Sequence, residues 1–322
     1  IQDTLRPLIV YGVTTLQKYP SINQRFSFED LYFAVILAAK ILKVRLRPEL
    51  KTGESFHSEI LVEEALSNGV LNDEMQLSIL LHDIRTSKPP ESLLRSIVTR
   101  FSDRYLGLES LALASITERA DYSIKIQALP PLQLITSSNA KIALARLWLR
   151  CWSKHGFWLN GMPQVWFPIE VKAHTNGKFK NLTSNYLSDK ADKKIFEKEW
   201  LPNLLNWFTE PIQGVKSRLK GNVLSLSVEG PWSYCQACKT CQRPFPDNLV
   251  CVNCGKNSVK PIDPNSDAVF VARKGYYRAS TMGVLQDPPV VPMSLLASEH
   301  TAQLSSAQAS DVFSKAEECE LR

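Results

Sequence analysis

The chain has 322 residues, of which 44% are apolar and 22% charged, with a formal net charge of +6. Those proportions suit a globular protein able to bury a core, and they exclude a disordered or fibrous chain. The mild positive charge permits a polyanionic partner without demanding one. The longest apolar run, LYFAVILAA at 31–39, is far short of the roughly twenty residues that a membrane-spanning helix needs.

Residues 1–135 read as a helical region. In SFEDLYFAVILAAKILKVRLRP, Ser27 is placed to cap a helix, Asp30 follows three residues on, and Pro48 is expected to close it. In PPESLLRSIVTRFSDRYLG, Leu93, Leu94, Ile97, Val98 and Phe101 share one helical face, with Pro89 and Pro90 before it and Gly107 as the expected stop. ALPPLQLI at 128–135 breaks the helical pattern.

Residues 136–221 form a tryptophan-rich region of mixed pattern. NAKIALARLWLRCWSKHG is a helix that Asn139 is expected to cap and Gly156 to end. Six of the seven tryptophans lie here (Trp148, Trp152, Trp158, Trp166, Trp200 and Trp207). At helical or strand spacing such residues are core, although tryptophans interleaved with lysines can also stack on bases. KAHTNGKFKNLTSNYLSDKADKKIFEK at 172–198 reads as a long lysine-rich surface loop leading into a helix.

Residues 222–262 carry the clearest chemistry. NVLSLSVEG alternates as a strand and is expected to enter the site that follows. YCQACKTCQRPFPDNLVCVNCG at 234–255 holds five of the seven cysteines. A tight pair of Cys-x-x-Cys knuckles reads as a metal site in a reducing compartment, hence a cytoplasmic protein with no membrane partner. Cys251 and Cys254, followed by Gly255, form one knuckle. Its partner is Cys235 with Cys238, or Cys238 with Cys241. The first choice leaves room for a ribbon hairpin, with Tyr234 and Trp232 as cover, and is favoured. Cys241 is then a spare thiol or a substitute ligand. Four thiolates and no adjoining His or Glu predict structural Zn2+ with no open position. An iron–sulfur cluster is the rival occupant. Between Lys216 and Lys260 seven basic residues (Lys216, Arg218, Lys220, Lys239, Arg243, Lys256, Lys260) face two acidic ones (Glu229, Asp247), which favours phosphate contact.

Residues 263–322 close with PMSLLASEHTAQL, a strand tipped by His300, and a helix with Val312, Phe313, Ala316 and Cys319 on one face. Strand, polar tip and helix are the layout of an α/β sheet. The stretch SLLASEHTAQLSSAQASDVFSKAEECELR resembles the second RecA-like domain of superfamily-2 helicases. Within them it is similar to the large bacterial helicases that carry the DUF1998 module and occur among phage-defence proteins. In that family a strand ending in Glu-His-(Thr/Ser)-Ala precedes a helix with a Phe, and a cysteine cluster lies upstream.

The resemblance implies that His300 and Thr301 lie beside a nucleic-acid backbone, with Gln303 near them and Glu299 orienting His300 or capping the helix. Arg273, Lys274 and Arg278 precede the strand, and their charge suggests further phosphate contacts. No stretch supplies Gly-x-x-x-x-Gly-Lys-(Ser/Thr), so ATP and Mg2+ are expected to bind only in the intact parent. Ile1 is not a start residue and the last helical pattern reaches Arg322 without a cap, so the chain reads as an internal piece of a longer polypeptide.

The expected fold is α+β: a mostly helical insertion, then a zinc ribbon, then the beginning of a RecA-like α/β domain. The expected partners are DNA, with RNA open, the rest of the parent helicase, and defence-system proteins. The alternative is a zinc-ribbon scaffold that docks proteins through its tryptophans and never meets nucleic acid.

Overall fold

A computed structural model describes residues 4–44, 46, 56–103, 105–153, 157–159, 162, 179, 183, 187, 189–211, 217–244 and 251–292. Its first elements are α1 (Leu5–Gln17), α2 (Pro20–Arg25) and α3 (Leu31–Ile41). Every residue of α3 from Leu31 to Ala39 is buried, because a helix apolar on all sides must be surrounded by others. It is enclosed by α1 and by α4 (Phe56–Ser67), α5 (Glu74–Arg85) and α6 (Glu91–Ser102). The closest approach is at Gly12 of α1, where a Cβ would stand 2.0 Å from the Ala34 carbonyl oxygen.

Ser27 and Asp30 form the expected capping box, with the Ser27 N–H donating to Asp30 Oδ2 at 2.8 Å. The buried Asp30 carboxylate also accepts from Arg85 Nη2 at 2.8 Å, so its charge is paired. α3 ends at Ile41, with Lys43 in the left-handed region at φ 54°. Pro48 lies outside the described residues. α6 starts after Pro90 and buries Leu94 and Ile97. It stops at Ser102 rather than running to Gly107, because Asp103 Oδ1 accepts the N–H groups of Tyr105 and Leu106 and turns the chain.

Next come β1 (Ser115–Glu118), α7 (Ala120–Gln127) and α8 (Ser138–Ser153). The side chain at the start of α8 is Ser137, whose Oγ accepts from the Ala140 N–H at 3.2 Å. Asn139, the expected cap, is already inside the helix, and Gly156 lies outside the described residues. α9 (Lys190–Ile195) continues through a π turn (Phe196–Trp200) into α10 (Leu201–Phe208). Pro202 has no N–H to close an ordinary helical turn, which accounts for the widened turn before it. Trp148, Trp152 and Trp200 are fully buried, and Trp148 meets Phe208 and Trp152 in tilted ring contacts. Those three are core, leaving them unable to stack on bases or to form a docking face. Trp158 and Trp207 are half-buried, and Trp166 lies outside the described residues.

β2 (Thr209–Pro211) pairs with β3 (Ser217–Leu219). β4 (Leu224–Ser227) pairs antiparallel with β1, Ser227 opposite Ser115 and Leu224 opposite Glu118. This corrects one expectation: the NVLSLSVEG strand joins the helical body and does not itself enter the cysteine site. One apolar cluster runs from Leu5 to Leu226 and takes in Val252 and Val284, so it crosses the expected boundary at 135.

The last sheet is small and three-stranded. β5 (Trp232–Cys235) lies between β6 (Cys241–Gln242) and β7 (Val259–Ile262), antiparallel to both. α11 (Ala268–Val284), capped by Asp267, packs back on α1 and on β5, where Phe270 meets Tyr234 edge-on. Among the described residues no helix is long and apolar enough to cross a membrane.

Candidate metal centre

The two Cys-x-x-Cys segments fold as near copies of one another. Cys235 donates its N–H to Thr240 and its carbonyl accepts from Lys239. Cys251 donates to Lys256 and its carbonyl accepts from Gly255. Each loop turns through a left-handed residue one position after its second cysteine, Lys239 at φ 62° and Gly255 at φ 74°. Glycine adopts that conformation without cost and lysine does not. Gln242 Oε1 accepts the Val252 N–H at 2.8 Å, and the Gln236 N–H donates to Ser258 O at 2.9 Å, so the copies are laced together.

This folding brings Cys235, Cys238, Cys251 and Cys254 together, with all four Sγ atoms within 4.8 Å of one another. Cys235 and Cys254 are 3.7 Å apart, and Cys238 and Cys251 are 3.5 Å apart. Four thiolates at about 2.3 Å around one tetrahedral ion would be about 3.8 Å from each other. The group therefore fits a single ion, whereas a cluster of several irons and sulfides would need the sulfurs spread further apart. Cys235 and Cys251 are buried, Cys238 and Cys254 half-buried.

A surrounding layer of donors points at the sulfurs. The Asn253 N–H meets Cys251 Sγ at 3.3 Å, the Asn253 amide meets Cys238 Sγ at 3.6 Å, and the hydroxyls of Thr240 and Ser258 lie 3.0 Å from Cys238 Sγ and 3.2 Å from Cys235 Sγ. Burial pushes the Cys238 thiol up, but hydrogen bonds from Thr240 and Asn253 outweigh it and bring it down to about 6. Cys251 is pushed up to about 12, first by its deeper burial and further by the neighbouring Cys238. Ionising one thiol thus makes the next harder to ionise, and a divalent cation at the centre relieves that repulsion. Thr240, Ser258 and Asn253 were not foreseen from the sequence; the only signal was the presence of short polar residues within or just beyond the knuckles.

Cys241 stands apart. It is fully buried in an apolar cluster with Trp232, Tyr234, Phe270 and Ala112, and burial pushes its thiol up to about 12. It contributes to the wall between ribbon and body.

The basic residues of the ribbon do not form one exposed strip. Arg243 reaches from just beyond β6 into the helical body. Its Nε donates to Ser115 Oγ at 2.8 Å, Nη1 to Pro231 O at 3.1 Å, and Nη2 to Ser227 O at 3.0 Å and Glu229 O at 2.5 Å. Its guanidinium also lies 3.8 Å over the Trp232 ring. Arg218 pairs with Glu210 and stacks on Trp158, and Lys260 pairs with Asp267 at 3.5 Å. Lys220 and Lys239 are half-buried, Lys256 is exposed, and Lys216 lies outside the described residues.

Two of the six residues expected to meet nucleic acid are placed against that role. Lys274 is buried and donates to Tyr105 O at 2.6 Å. Arg278 is buried, with Nη1 on Leu111 O and Ala112 O and Nη2 on Asn265 Oδ1 at 2.8 Å. Both side chains are thus turned into the protein, Lys274 with an ammonium N–H on a backbone oxygen and Arg278 with both Nη atoms engaged, away from the surface where a phosphate contact was expected. Arg273 is exposed. His300, Thr301 and Gln303 lie outside the described residues.

The architecture is thus a mostly helical α+β protein with small antiparallel sheets and a four-cysteine cluster of zinc-ribbon geometry. Over 107 residues, 32% of the chain, it is 36% identical to Druantia protein DruE of Escherichia coli (strain UMEA 4076-1). The matched stretch is 6% of that protein's length, so the chain corresponds to a small part of it. No family model and no solved structure matches the chain.

Proposed function

We propose that this chain is an internal portion of an ATP-dependent nucleic-acid helicase or translocase, cytoplasmic and acting in phage defence, in which a Zn2+ ion held by Cys235, Cys238, Cys251 and Cys254 fixes a ribbon to a helical body. The observation that carries the reading is the 36% identity to Druantia protein DruE, joined to the SEHTA strand tip of the second RecA-like domain expected over 263–322. Zinc bound by four thiolates has no open position, so its contribution is to hold the fold. ATP and Mg2+ chemistry belongs to motifs that this sequence does not contain. His300, Thr301 and Gln303 remain the proposed contacts to the nucleic-acid backbone, with Arg273, earlier in the sequence and exposed, as a further one.

Two measurements test this. Binding of labelled DNA to the purified chain should weaken steeply as salt rises, because the contacts are to phosphate. Absence of binding, or affinity indifferent to salt, would overturn the nucleic-acid reading. Metal content should be one zinc per chain, lost on serine substitution at each of the four clustered cysteines and retained in Cys241→Ala. Retention in all four serine variants would overturn the ligand set.

A further inference from the structure

The outer face of α11 is unusual for a helix so close to a metal ribbon. Val269, Ala272, Arg273, Tyr276 and Ala279 recur at three- and four-residue spacing and are all exposed, so they form one stripe. Tyr276 is 81% exposed and Tyr277 43%, their rings in edge contact at 5.4 Å. A third tyrosine, Tyr105, is 58% exposed, and its carbonyl holds the Lys274 ammonium on the inner side of the same helix.

The charge of this helix is one-sided. Its 17 residues include Arg273, Lys274 and Arg278 and no acidic residue. Lys274 and Arg278 donate to carbonyl oxygens and an amide, and neither makes an ion pair among the described residues. Asp103 acts through space on Lys274 and Asp263 on Arg278, so these two buried charges are partly offset, and Arg273 is the cation that the helix presents at its surface. The acidic residues nearby in sequence, Asp263, Asp267 and Asp287, flank the helix at its two ends. Asp263 accepts from Asn265 and Ser266, and Asp267 caps the helix and pairs with Lys260.

We propose that the outer face of α11 is a stacking platform for single-stranded DNA, with Tyr276 and Tyr277 taking bases and Arg273 a phosphate. This deepens the nucleic-acid reading above and rests on it. Exposed aromatic rings beside a surface cation such as Arg273 are the arrangement that binds unpaired bases without regard to sequence. Paired bases in a duplex keep their faces covered and have nothing to offer the rings. Val269, Ala272 and Ala279 give the sugar an apolar bed, on which a ribose 2′-hydroxyl would lose water without gaining a partner. DNA is therefore preferred to RNA.

The test is fluorescence anisotropy of the full chain with labelled oligo-dT, the same length of oligo-U, and a duplex. Tyr276→Ala is expected to weaken oligo-dT binding about 5- to 150-fold, the range of one lost base stack, and Tyr276→Phe to leave it unchanged. The side chain is exposed, and an unchanged melting temperature will confirm that the fold survives. If wild type binds oligo-dT and Tyr276→Ala binds it equally, the platform is overturned while the nucleic-acid reading stands. If wild type binds no nucleic acid at any salt, both fall. Equal affinity for oligo-U overturns the choice of DNA. A variant that alters self-association but not DNA binding shows the face to be a protein contact and overturns the platform.

Discussion

Replacing Arg243 with alanine should loosen the ribbon from the helical body. The guanidinium makes four hydrogen bonds of 3.1 Å or less to oxygen atoms from β1, from the end of β4 and from the turn that follows it, and it covers the Trp232 ring. A net value of about 1 kcal/mol per bond and about 1 kcal/mol for the stack sets a ceiling near 5 kcal/mol. Against this stands the cost of taking the charge from water, visible in the lowering of the Arg243 pKa to about 10 by burial. The expected net loss is therefore about 2–4 kcal/mol. Lysine at the same position should recover little, since one ammonium cannot reproduce the fork. Gly230, at φ 115°, is part of the same fit, because a Cβ there would come 3.2 Å from Arg243 Nη1. The assay is urea denaturation of the zinc-loaded chain followed by circular dichroism. A loss below about 0.5 kcal/mol, the level of an ordinary surface substitution, would refute the idea that Arg243 ties the two parts together.

Further outcomes follow from other positions. Gly12→Ala should destabilise the chain by about 3 kcal/mol or more, read from the same denaturation, because the added methyl meets backbone rather than a movable side chain. Lys239→Gly should raise stability by about 1 kcal/mol by removing the left-handed strain of the first knuckle, seen as a higher melting temperature with zinc content unchanged. Asp121 has its carboxyl held below the usual range, chiefly by the hydrogen bond from Arg119. A lowered folded-state value means that the pair stabilises the protein above the ordinary carboxylate range and that this contribution fades as pH falls through the folded value. Asp121→Asn should therefore cost a few tenths of a kcal/mol to about 1 kcal/mol at neutral pH, since the pair is partly exposed. The gap from wild type should close in acid, as measured by melting at a series of pH values.

The elements that could be read from the sequence were those set by local rules. The Ser27–Asp30 box, the apolar run of α3 and the apolar face of α6 depend on spacing within one turn or two. The knuckles could be read because two thiols two residues apart must face the same point. What escaped was fixed at long range. NVLSLSVEG alternates correctly as a strand, but its partner lies more than a hundred residues earlier, at Ser115–Glu118. Arg243, Lys274 and Arg278 read as phosphate ligands because a sequence reports charge and not where a side chain ends. Each ends on at least one oxygen contributed by a segment more than a hundred residues away: Ser115, Tyr105 or Leu111. Cys241 likewise looks equal to its neighbours until Phe270 and Trp232 close over it.

The ties made by Arg243, Lys274 and Arg278 reach mostly to neutral peptide oxygens rather than to carboxylates. Peptide oxygens have no pKa in the working range, and dissolved ions screen attractions at such short range poorly. A rise in ionic strength that strips a polyanion from the surface would leave these seams closed. Salt titration of this chain therefore tests its surface and not its framework: a ligand lost as salt rises is lost from a protein that is still folded.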